Sequence, residues 1–102
     1  MKVLIVEDDP AQRRVFALVV RNLGHDPVEC ASLAEARRAD ACPISFVDRR
    51  LPDGDGAELA GELGGRVYLL TGEEPDAQLA ERFDVLVKPV RPAQLERLLA
   101  VR

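Results

Sequence analysis

The 102-residue chain has no tryptophan, one methionine, one histidine and two cysteines, and only 4% of it is aromatic. Each shortage excludes something. Cys30 and Cys42 lie outside any Cys-x-x-Cys or Cys/His grouping, which argues against a disulfide scaffold or a thiolate zinc site and for two reduced, partly buried thiols. His25 stands alone beside Gly24 and reads as a surface turn residue. No apolar run nears the ~18 residues that span a bilayer, Val15 to Val20 being among the longest. The run after Lys2 stops at Glu7, too short for the core of a secretory signal. Positive charge is also scarce, 14 basic against 18 acidic residues for a net charge of −4, so nothing favours broad attraction to nucleic acid or anionic lipid. A cytoplasmic protein is expected, without membrane or direct nucleic-acid contacts.

What is present is a foldable composition, 47% hydrophobic and 31% charged, enough for a core in one domain spanning residues 1–102. Val3 to Val6 is a continuous apolar run cut off by acids, as in a parallel strand buried on both faces. Asp9-Pro10 then offers an N-cap and a first helical position, and Gly24 a stop, for helix one from Asp9 to Leu23. Strand two covers Pro27 to Cys30. Ser32-Leu33-Ala34-Glu35 fits a capping box, in which serine and glutamate satisfy each other's amides, opening helix two to about Asp40. Ile44 to Val47 is strand three, Asp48 to Gly56 a loop, and Ala57 to Leu63 a short helix three. Val67 to Leu70 is strand four, Asp76 to Glu81 a turn or two of helix four, Val85 to Val87 strand five, and Pro92 to Val101 helix five, with Leu95, Leu98 and Leu99 on one stripe. Five strands alternating with helices make a parallel, doubly wound α/β sheet, with all C-terminal strand ends on one edge, where ligands bind.

The residues at that edge carry chemistry. Glu7 and Asp8 follow strand one, Asp48 strand three, Thr71 strand four and Lys88 strand five. With strands one and three adjacent, about 4.8 Å apart, three carboxylates converge and need a cation. Hard oxygen donors in small number suit Mg²⁺, which leaves positions open for phosphate oxygens. Lys88 adds a second positive charge and Thr71 a hydroxyl, so the pocket can accept a phosphoryl group with Asp48 as the attacking carboxylate. A helix cap is the ordinary role of such residues taken singly, and Asp9 fills it. Asp53-Gly54-Asp55-Gly56 reads as a turn, because calcium-loop spacing fails at Ala57 and no strand immediately precedes the glycines.

Together, Val6-Glu7-Asp8-Asp9-Pro10, Asp48 through Gly56, Leu70-Thr71-Gly72 and Lys88-Pro89-Val90, in this order and each at a strand end, resemble the receiver domain of two-component response regulators, the chemotaxis-regulator type. The resemblance covers nearly the whole chain. It implies a flavodoxin-like (βα)5 fold with strand order 2-1-3-4-5. It implies Asp48 as acceptor of a phosphoryl group from a histidine kinase or histidine phosphotransfer protein. Mg²⁺ would be held by Asp8, Asp48 and the Arg50 main-chain carbonyl, with Glu7 acting through water. A cis Lys88–Pro89 peptide would aim the ammonium at the site, and Thr71 would be the switch hydroxyl. Arg50 and Glu73, two after the acceptor and two after the threonine, would flank the phosphoryl group beside Gly72, and we expect them to pair and slow hydrolysis.

The chain also departs from the pattern. The intervals from Asp48 to Thr71 and from Thr71 to Lys88 are short, which makes stubs of helices three and four. Val85 stands where an aromatic ring usually moves with the threonine, and Glu81-Arg82 replaces the usual Gly-Ala pair. Output through helix four and strand five is therefore expected to be reduced, shifting attention to helices one and five. On helix one the stripe Phe16, Val19, Val20, Leu23 would face the core, leaving Ala11, Gln12, Val15 and Leu18 beside the site as a partner surface, with a homodimer contact or an ordinary exposed apolar fringe as the plainer readings. Two other readings stay open. One is a docking or dimerising module with little output; the other is a Mg²⁺-dependent phosphohydrolase, disfavoured because Arg50 stands where a second acid would be needed.

Overall fold

Residues 1–100 are described by a computed structural model of the chain. The strand runs and helix caps expected above shape it locally. The Asp9 carboxylate accepts from the amides of Ala11 and Gln12, and Pro10, which has no amide to leave unpaired, begins helix α1 (Pro10–Asn22). Strand β1 (Lys2–Val6) precedes it; β2 (Asp26–Cys30), α2 (Leu33–Arg38) and β3 (Ile44–Asp48) follow. Next come two short strands, β4 (Arg50–Leu51) and β5 (Gly54–Asp55), then α3 (Gly56–Glu62), β6 (Arg66–Thr71), α4 (Ala77–Arg82), β7 (Asp84–Val87) and α5 (Pro92–Ala100). Val101, expected at the end of helix five, lies outside the described residues.

β2, β1, β3, β6 and β7 form one parallel sheet in that order. This is the expected 2-1-3-4-5 arrangement, with β6 and β7 as the fourth and fifth sheet strands. Because successive side chains point to opposite faces, the sheet divides its apolar residues into two layers. Val3, Ile5, Ile44, Phe46, Tyr68 and Leu70 pack with Ala17 and Val20 of α1 and Leu95 and Leu99 of α5. Leu4, Val6, Val47 and Leu69 pack with Leu33, Leu59 and Leu79 of α2, α3 and α4. α1 turns as expected, with Val20 buried, Phe16, Val19 and Leu23 packed against the core, and Val15 and Leu18 exposed at 61% and 50%. Both cysteines are free and buried, and burial raises both thiol pKa values, so they sit as protonated, apolar packing.

Four local expectations need correction. The stretch from Asp48 to Gly56 is not plain loop: β4 and β5 pair antiparallel, Arg50 opposite Asp55 and Leu51 opposite Gly54. The capping box is offset. Ser32 accepts from the Glu35 amide, but the Glu35 carboxylate accepts from Ala31 N–H rather than from Ser32. α2 stops at Arg38, before Asp40, because Ala39 turns extended. α3 begins one residue earlier than expected and ends at Glu62, where Leu63 turns extended.

Gly56 shows why that helix starts where it does. A Cβ there would run into the Asp48 carbonyl oxygen, so only glycine lets α3 leave β3 this closely. Gly56→Ala is expected to cost about 2–3 kcal/mol, measured as a lower denaturation midpoint, whereas Gly61→Ala, which meets open space inside the helix, should stabilise by up to about 1 kcal/mol.

Candidate functional site

Five of the residues singled out converge at the C-terminal edge of the sheet. β1 runs straight into Glu7, whose amide bonds to the Cys30 carbonyl at 3.0 Å, so its side chain emerges inward from the ladder. Asp48 ends β3 and Thr71 ends β6; all three are buried, at 5%, 6% and 7% exposure. Lys88 follows β7, and its amide bonds to the Thr71 carbonyl at 2.8 Å, which fixes the base of the lysine beside that strand. The Lys88–Pro89 peptide is cis, as expected.

The ammonium of Lys88 joins the carboxylates. Its Nζ donates to Glu7 Oε1 at 2.7 Å and to Asp48 Oδ2 at 2.9 Å. Burial alone would lower the lysine pKa; the hydrogen bonds to the two carboxylates outweigh it and hold the group above its usual range. Lys88 is thus firmly cationic at neutral pH. Asp48 Oδ1 has a weaker partner, the Arg50 amide at 3.4 Å, and is the freer of its two oxygens. The Thr71 hydroxyl accepts from Glu73 N–H at 3.2 Å, which leaves its own proton to give.

Glu7, Asp8 and Asp48 each offer a carboxylate oxygen within 4.8 Å of the others, with Asp8 exposed and the other two buried. Three hard oxygen donors that close, open to solvent on one side, fit a small divalent cation such as Mg²⁺, which keeps several waters. The cleft beside them is lined by Asp48, Arg50, Thr71, Gly72, Glu73 and Lys88 among others. Arg50 and Glu73 do meet, at 3.8 Å, but with side chains 88% and 81% exposed. In open solvent such a pair contributes little to stability. It bridges the cleft mouth from β4 to the segment after β6.

Three residues near the site carry roles that no motif revealed. Gln12 Oε1 lies 3.4 Å from Lys88 Nζ, linking the exposed face of α1 to the ammonium. Arg13 reaches back from α1 to donate to the Glu7 carbonyl at 2.9 Å and lies 3.5 Å from Glu29 on β2. The Asp9 amide donates to Glu7 Oε2 at 3.2 Å. These contacts hold the bend that presents Glu7 and Asp8. Ala11, Gln12 and Val15 also line a largely apolar groove that runs from α1 to Pro89, Val90 and Pro92. Leu18 lies farther along α1, outside that groove. Val85, in the place of the usual aromatic ring, is half-buried and packs with the α2–α4 layer.

No family model matches the chain, and no curated protein does. Solved structures do. A response regulator receiver domain, CheY-like, from Methylobacillus flagellatus superposes with a TM-score of 0.88 at 28% identity, over 97% of this chain and 95% of that one. The receiver domain of the hybrid histidine kinase CckA gives 0.79 at 28%, with the same coverage. The response regulator TrrA from Thermotoga maritima, solved with Mg²⁺ and BeF, gives 0.85 at 19% identity over 96% of this chain and 95% of that one, a likeness of fold. The resemblance read from the strand-end motifs is borne out, and the chain has the CheY-like receiver fold.

Proposed function

We propose that the protein is a phosphoacceptor of a two-component pathway in which Asp48 takes a phosphoryl group from a phosphohistidine on a histidine kinase or phosphotransfer protein. The observation that carries this reading is the Lys88 ammonium bonded at once to Glu7 and Asp48 inside a cluster of three carboxylates. Glu7, Asp8 and Asp48, together with the Arg50 carbonyl, would hold Mg²⁺. Bound there, Mg²⁺ supplies charge neutralisation for the incoming phosphoryl oxygens.

The chain's own groups do the rest. Asp48 Oδ1, the less engaged oxygen, attacks phosphorus; the O–P bond forms as the P–N bond to the donor imidazole breaks, and the imidazole leaves with the electron pair. Lys88 shifts from carboxylate to phosphoryl oxygen as charge moves onto that group, and the Thr71 hydroxyl donates to another oxygen. The extra contact exists in one state only, so it biases the segment after β6. Arg50 and Glu73, spanning the cleft mouth, restrict water and slow hydrolysis. Ala11, Gln12 and Val15 line the groove on which a donor helix docks, and Leu18 extends the same exposed side of α1. The chain acts on its own phosphorylation and dephosphorylation, in the cytoplasm, and not on free substrates.

The test is labelling with acetyl phosphate. Wild type is expected to acquire one phosphoryl group only when Mg²⁺ is present, in a bond stable to acid and labile to base, and Asp48→Asn none. Labelling of Asp48→Asn equal to wild type would overturn the proposal, and turnover of many phosphate esters would favour a phosphohydrolase.

A further inference from the structure

The segment after Asp48 is fastened to helix α2 by a residue that the site does not use. Asp53 lies between the two ribbon strands, twenty positions along the chain from the helix it meets. Its carboxylate closes the amino end of α2, Oδ1 accepting from Leu33 N–H at 2.9 Å and Oδ2 from Ala34 N–H at 3.0 Å. Ser32 fills the ordinary cap by accepting from Glu35 N–H, and Glu35 takes Ala31 N–H. Asp53 therefore supplies the two acceptors that the local sequence lacks.

Shape pins the same turn. Gly54 has φ +151°, open to glycine, and a Cβ there would meet Leu33 Cδ1 at 2.8 Å. Leu33 is fully buried in the layer under α2 and α3. Farther along α2, Arg37 donates to both carboxylate oxygens of Glu62 on α3, at 3.0 and 2.8 Å. The contacts run without a gap from the ribbon to α2 and on to α3. Hydrogen bonds from backbone amides to an ionised acceptor are stronger than neutral ones, and two of them on one rigid carboxylate cannot adjust singly. The Leu33 and Ala34 amides also hold the Asp53 carboxyl below its usual pKa, so it is ionised at neutral pH.

We propose that Asp53 is a positioning residue: it holds the ribbon that carries the Arg50 carbonyl beside Asp48, and it makes the start of α2 respond when charge at Asp48 changes. This rests on the phosphoacceptor reading. It assigns the α2–α3 side, opposite the exposed face of α1, to transmission in a chain whose helix four is a stub.

Amide NMR spectra of the full chain, titrated with Mg²⁺ and fluoroberyllate as the phosphoryl stand-in, test it. In wild type the Leu33 and Ala34 amides are expected to shift together with those of Thr71 and Lys88. In Asp53→Ala, Thr71 and Lys88 still shift, Leu33 and Ala34 fall silent, and the Kd for Mg²⁺ rises about five-fold. Asp53→Asn retains one acceptor oxygen and most of the fold's stability, and it should give an intermediate response. Leu33 and Ala34 unmoved in wild type while Thr71 shifts, or an unchanged response in Asp53→Ala, would overturn this inference alone. If no wild-type amide responds, Thr71 included, the phosphoacceptor reading fails and the inference fails with it.

Discussion

Replacing Lys88 by alanine is expected to slow phosphorylation of Asp48 about 10²- to 10³-fold while tightening the binding of Mg²⁺. The two effects have one cause. Nζ sits 2.7 Å from Glu7 and 2.9 Å from Asp48, so a divalent cation entering the acid cluster competes with the ammonium for the same oxygens. Removing the ammonium frees those oxygens for the metal and takes away the charge that would meet the phosphoryl group. Without metal the same variant leaves two buried carboxylates with no ammonium partner, a loss of about 2–4 kcal/mol near neutral pH that Mg²⁺ restores in large part. The pH dependence has a definite sign. Because the folded pKa of Lys88 lies above its unfolded value, its contribution is complete below the unfolded pKa of about 10.4 and fades as pH climbs through the folded one. The urea midpoints of wild type and Lys88→Ala in metal-free buffer should differ by a constant amount from neutral pH to mildly alkaline pH and converge above that. An unchanged phosphorylation rate in Lys88→Ala would contradict the assignment.

Phe46→Ala is the largest expected change in stability away from the site. Phe46 is fully buried at the centre of β3, with ring centroids 5.1 Å from Phe16 on α1 and 5.3 Å from Tyr68 on β6. Its removal opens a cavity between sheet and helix and ends both aromatic contacts, costing about 3–5 kcal/mol. In a domain of this size that lowers the Tm by roughly 15 °C or more, readable by calorimetry. Phe46→Leu should lose about half as much.

The sheet is legible in the sequence because its signals are local. Val3 to Val6 and Ile44 to Val47 are unbroken apolar runs, Asp9-Pro10 caps a helix, and parallel crossovers then leave little freedom in the topology. Those two runs place Glu7, Asp8 and Asp48 at strand ends, and the runs Val67 to Leu70 and Val85 to Val87 do the same for Thr71 and Lys88. The features that are not legible there depend on contacts distant in sequence. Nothing near Asp53 announces that its carboxylate meets an α2 amide twenty residues away. Glu35 has the spacing of a capping box, yet its longer reach finds Ala31, a distinction of geometry and not of spacing. The β4–β5 ribbon pairs only two residues per strand, too few for alternation to show. Gln12 reads as part of a partner surface on α1, and only the fold adds its contact with Lys88.

Reduction by borohydride tests the central claim most directly. The reagent converts an aspartyl phosphate to homoserine, which marks the acceptor permanently. After labelling with acetyl phosphate and Mg²⁺, peptide mapping should find homoserine at position 48 and unaltered aspartate at positions 8, 53 and 55. Homoserine at one of those other positions, or at none, would contradict the assignment of Asp48 as the phosphoryl carrier.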